Sequence, residues 1–92
     1  MIIDSQKIPT QKYNGAFLEF TYGSNGAQGG DSGHGCRSLI RIESMGADLR
    51  LNKEPVDKIE IITGGDAELL DLALGLQTIG NKLKEIYDLT LN

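Results

Sequence analysis

The side chains that could do chemistry in this 92-residue chain gather in one stretch, Gly23 to Arg37. Six of the thirteen residues from Gly23 to Gly35 are glycine. The second half, Gly29-Gly30-Asp31-Ser32-Gly33-His34-Gly35-Cys36-Arg37, interleaves glycine with a carboxylate, a hydroxyl, an imidazole, a thiol and a guanidinium. Glycine opens backbone conformations closed to other residues and lets N–H groups converge on an anion, while Arg37 offers a planar fork for phosphate or carboxylate. The expected ligand-binding set is Gly29, Gly30, Asp31, Ser32, Gly33, His34, Gly35 and Arg37, and the expected ligand is a small, nucleotide-like anion.

Each of these residues also has a structural reading. The whole segment could be a flexible connector between strands; Asp31 could stabilise a turn through neighbouring N–H groups, and Arg37 could pair across strands with Glu19 or Glu43. A small hydrolase using Asp31 and His34 is a further alternative, but no second catalytic cluster stands elsewhere in the sequence. Cys36 and His34 are two residues apart and lack a third orienting group. One Cys and one His cannot complete a four-ligand zinc site from a single copy, so no metal is expected. No cofactor is expected either. Gly23-Ser24-Asn25-Gly26-Ala27-Gln28-Gly29 lacks the Gly-Lys-Ser/Thr of a Walker loop, and a strand rather than a helix follows the glycines.

The elements around the segment can be read from periodicity. Residues 2–8 end at Pro9, which removes a donor, so they make at best an edge strand. Residues 16–22 alternate, with Leu18, Phe20 and Tyr22 on one side, and residues 38–44 repeat the pattern with Ile40 and Ile42. Met45-Gly46 reads as a turn into a strand over 47–52, and residues 57–63 place Ile59 and Ile61 on one side. A helix is expected from about Asp66 to Asp88. Asp66 and Glu68 suit the positive end of its dipole, and Leu69, Leu72, Ala73, Leu76, Ile79, Leu83 and Ile86 recur at helical spacing. The fold class is therefore α+β: an antiparallel β-meander of about four strands packed against one C-terminal amphipathic helix, in a single domain over 1–92.

Leu70 and Leu74 lie off the main helical stripe and widen its apolar surface, which predicts a homo-oligomer with the helix at a contact. Gly75 and Gly80 interrupt the helix, where a backbone neighbour could approach closely.

Composition narrows the partners. The net charge of −4, with basic residues scattered, disfavours direct nucleic-acid binding and leaves a small anionic ligand or a host protein. No apolar run is long enough to span a membrane, and Met1 to Lys7 carry no basic region followed by an apolar stretch, so a cytoplasmic protein is expected. Cys36, the single cysteine, is expected as a free thiol.

The string GGDSGHGCR from Gly29 to Arg37, followed by an apolar strand, resembles a segment of small uncharacterised accessory proteins from phages and bacteria. That resemblance carries no assigned activity. Compact acidic proteins of this kind, without catalytic machinery, look like phage accessory proteins that counter host defence, so the expected function is a non-enzymatic binding protein that sequesters a nucleotide-like ligand or, alternatively, inhibits a host defence protein or nucleic-acid enzyme by contact.

Overall fold

The computed structural model describes residues 4–8, 15–30 and 34–91. The elements are β1 (Asp4–Ile8), β2 (Phe17–Ser24), β3 (Arg37–Met45), β4 (Arg50–Leu51), β5 (Glu54–Pro55), β6 (Lys58–Gly64) and α1 (Asp66–Leu91). Four strands form one antiparallel sheet in the order β1-β2-β3-β6, and the helix lies on it, giving the α+β fold that the periodicity indicates.

Register explains why these four strands belong together. Opposed residues share a face, so Ile8, Phe20, Ile42 and Ile59 make one apolar row and Gln6, Tyr22, Ile40 and Ile61 the next. A third row, Ser24, Ser38 and Thr63, carries hydroxyls. Slipping any strand by one residue would turn its apolar set to the opposite face, away from its apolar neighbours and from α1. The far face holds ion pairs, Lys7 Nζ to Glu19 at 3.2 Å and Arg41 Nε to Glu60 at 2.7 Å.

The strand expected over 47–52 does not join the sheet. Gly46 turns at a φ of 77°, and Arg50–Leu51 instead pairs with Glu54–Pro55 as a separate two-stranded ribbon around Asn52 and Lys53, whose φ values are 51° and 70°. β6 occupies the β3 edge because Ile59 and Ile61 match Ile42 and Ile40, whereas 47–52 offers only Leu49 and Leu51 in alternation. The fourth strand of the sheet is β1, the edge strand expected before Pro9.

α1 begins after Gly65, which has a φ of 123° and whose carbonyl accepts the first helical hydrogen bond from Leu69 N–H at 3.1 Å. Its 26 residues span about 39 Å at the usual rise. The helix buries little. Leu69 and Leu72 are half-buried, but Ile79, Leu83 and Ile86 remain 58%, 61% and 56% exposed. Among the described residues Cys36 is the one apolar side chain that is buried, beside the polar Thr21 and Ser38. Gly75 and Gly80 each cost the helix about 1 kcal/mol relative to alanine. A Cβ built at either would meet nothing within 4 Å, so packing inside this chain does not require them.

Candidate functional site

Two features stand out, a clamped glycine-rich loop at the N-terminus of α1 and an unfilled apolar groove beneath its middle.

The loop leaves β2 through Asn25 and returns at Cys36. Asn25 holds the far end of the ladder: its side-chain carbonyl accepts Arg37 N–H at 2.8 Å and its own N–H donates to Arg37 O at 3.2 Å. Gly26, Gly29 and Gly35 adopt φ values of 76°, 87° and 88°, which L side chains rarely tolerate. The two arms touch backbone to backbone. A Cβ at Gly30 would lie 2.9 Å from His34 C, and one at Gly35 would lie 2.8 Å from Gly30 N. Glycine at both positions is what lets the arms close.

The N–H groups of this loop do converge on an anion, and that anion belongs to the chain. Asp66 Oδ1 accepts Gln28 N–H at 3.0 Å and Cys36 N–H at 3.1 Å, and Oδ2 accepts Gly29 N–H at 2.6 Å. Asp66 N–H donates to Gly30 O at 2.6 Å, and Gly65 N–H to Cys36 O at 2.8 Å. The Gln28 N–H, and after it that of Gly29, hold the Asp66 carboxyl below the usual range, against the opposing effect of desolvation; Cys36 and Gly30 add to the lowering. One side chain at the start of α1 thus pins both arms of the loop.

Of the residues expected at a ligand site, Gly29, Gly30 and Gly35 come together around Asp66, Arg37 opens β3 just beyond them, His34 is exposed, and Asp31, Ser32 and Gly33 lie outside the described residues. Arg37 Nη1 donates to Gly35 O at 3.3 Å and Cys36 O at 3.2 Å, so its guanidinium is folded onto the loop itself. Cys36 is a free thiol at 0% exposure, its Sγ 3.0 Å from Ser38 Oγ, which in turn donates to Ser24 Oγ at 3.2 Å. With His34 exposed and Cys36 sealed, the geometry does not present the two as an accessible nucleophile and base. Among the described residues no three acidic, Cys or His side chains cluster in a way that could hold a metal ion.

Sequence reasoning assigned Asp66 to the helix dipole and missed it as the anchor of the loop. The available signal was Gly64-Gly65-Asp66, which places a carboxylate directly after two residues able to bring it against another backbone.

The groove lies between Ile8, Phe20 and Ile42 on the sheet and Leu76, Ile79 and Leu83 on α1, with a volume of about 420 Å³. Tyr22 also lines it, its hydroxyl donating to Gln6 Oε1 at 3.0 Å. A smaller recess of about 130 Å³ adjoins it under Leu69 and Leu72. The helix therefore stands over the sheet without filling the space between them. A groove of this size and lining takes an apolar occupant. No described helix is long and apolar enough to cross a membrane.

Comparison with known proteins found no matching family model, no matching curated protein and no matching solved structure.

Proposed function

We propose that this chain is a non-enzymatic, cytoplasmic interaction module that works by presenting α1 and the groove beneath it to a protein partner. The observation that carries this reading is the unfilled apolar groove lined by Ile79 and Leu83, each more than half exposed, as is Ile86 further along α1. Soluble domains rarely leave contiguous apolar surface of this kind uncovered unless something docks there. The loop supports the same reading as a framework part, because its closure onto Asp66 fixes where α1 leaves the sheet. Among the described residues, the two carboxylates held below their usual range have structural partners, Glu60 in Arg41 and Asp66 in the loop N–H groups. Occupying a partner by contact fits the anti-defence role expected of a compact acidic accessory protein.

The test is an apolar dye that brightens on exposed hydrophobic surface, read together with the assembly state. A protein that is neither assembled nor dye-binding has closed its groove, and the reading fails.

A second reading, a small anionic ligand at the loop, is favoured by the backbone closure at Gly30 and Gly35, which preforms the segment. Such a ligand would use Arg37 and His34, since the N–H groups of Gln28, Gly29 and Cys36 already serve Asp66. Under it, Arg37→Ala weakens binding by about tenfold to more than a hundredfold, the worth of one charge-assisted contact. A thermal-shift screen with nucleotides decides it: no shift at millimolar concentrations removes this second reading.

A further inference from the structure

We infer that the occupant of the α1 face is a second copy of this chain, docked helix to helix along Leu76, Ile79, Leu83 and Ile86. The inference rests on the interaction-module reading and names its partner.

The spacing of the helical stripe points to a helix as the neighbour. Leu69, Leu72, Leu76, Ile79, Leu83 and Ile86 alternate steps of three and four, a mean period of 3.5, which is the repeat of a seam facing another helix. The start of that seam is spent on the sheet, over the recess at Ser38 and Ile40, while Ile79 and Leu83 line the unfilled groove above Ile8, Phe20 and Ile42 and, like Ile86, stay more than half exposed. A stripe that served the sheet alone would end where the sheet contact ends.

The glycines supply a second observation. Gly75 and Gly80 flank the seam on its two sides, together with Ala73, and neither meets an atom of its own chain that would require glycine. Absent side chains there allow a neighbouring helix to approach at the short end of the usual interaxial distance of about 8–10 Å.

Surface area supplies the third. The chain exposes 6911 Å², against about 5,200 Å² for a compact monomer of 10.0 kDa, a surplus of about 1,700 Å². A standard interface takes only about 800 Å² from each partner. The radius of gyration agrees, at 15.0 Å against about 12 Å for a compact domain of this length. The isolated chain has the dimensions of a subunit.

The experiment combines sedimentation of the full chain at micromolar concentration, the apolar dye and far-ultraviolet circular dichroism, for the wild type, Ile79→Glu and Gly80→Gln. Gly80→Gln is the decisive variant, because a Cβ there meets nothing within 4 Å, the open groove that Gly80 lines has room for the rest of the side chain, and any such residue favours the helix over glycine, so folding tolerates it. The expected wild type sediments at twice 10.0 kDa or a higher multiple and leaves the dye dark. Ile79→Glu should weaken association by about a hundredfold or more, and Gly80→Gln by about tenfold, with helical signal retained. A wild-type monomer that brightens the dye overturns the second copy and leaves the module reading with a foreign protein or an apolar ligand as occupant. A monomer with a dark dye overturns both. An oligomer that both variants leave intact places the contact elsewhere and overturns the helix seam.

Discussion

Replacing Gly35 by alanine separates a clamped loop from a merely glycine-rich one, provided Gly26→Ala is measured beside it. Both residues have positive φ, 88° and 76°, so both substitutions force an L side chain into the left-handed region. That costs about 1–2 kcal/mol, partly offset by the reduced freedom of the unfolded chain, for a net loss of about 1 kcal/mol at each site. The surroundings then differ. A Cβ at Gly26 meets nothing within 4 Å, whereas at Gly35 it lies 2.8 Å from Gly30 N and 2.9 Å from Gly30 O and from Asp66 Oδ1. Two of these three are backbone atoms, and the third is the carboxylate fixed by Gln28, Gly29 and Cys36. Overpacking of this kind costs roughly a further 1–3 kcal/mol, so Gly35→Ala should lose about 2–4 kcal/mol where Gly26→Ala loses about 1. Urea unfolding at pH 7 and one fixed protein concentration reads both, the fixed concentration being needed because assembly contributes to apparent stability. Equal losses, within about 0.5 kcal/mol, would refute the clamp, since they would show that nothing stands where the Gly35 side chain enters.

Three further outcomes follow from the same structure. Lys53→Gly, at a φ of 70° in the β4–β5 turn, should stabilise the protein by about 0.5–1 kcal/mol after allowing for glycine's freedom in the unfolded chain, again read by urea unfolding. Asp66→Asn should destabilise at neutral pH, and acid should narrow the difference. The folded carboxyl titrates below its ordinary 3.8, so its contribution is fully present above that pH and is lost as pH falls through the lower folded value; a gap between variant and wild type that does not narrow as the pH falls below 3.8 would contradict this. Cys36, at 0% exposure, should resist a thiol reagent in the native protein and titrate as one equivalent after unfolding, so rapid native labelling would show that the loop does not seal it.

The sheet was legible because its rows are built from period-2 alternation that burial enforces: Phe20 with Ile42, and Tyr22 with Ile40, follow from the sequence once the strands are known to be antiparallel. The helix was legible for the same reason, at a different period. Residues 47–52 were not, because Leu49 and Leu51 alternate as well as a strand requires, and what excludes them is competition from β6 for the edge of β3, a tertiary effect without a local signature. Within the loop, glycine spacing revealed converging N–H groups but not the identity of the anion. Asp66 lies 36 residues after Gly30, and its role there depends on β6 delivering α1 to the open end of β2 and β3. The surplus apolar surface was visible in Leu70 and Leu74, yet the residues left open along the seam are Ile79, Leu83 and Ile86, because the helix meets the sheet mainly near its start.

Hydrogen exchange along α1 as a function of protein concentration tests most directly whether a partner copy covers the helix. An isolated helix half with its apolar residues in water opens easily, so protection of residues 79–88 must come from whatever covers them. The account predicts that these amides are strongly protected at high micromolar concentration and lose at least about tenfold in protection on dilution through the association range, while Arg41 and Ile42 in the centre of the sheet change less. Protection of residues 79–88 that is the same at every concentration, whether high or absent, would contradict it.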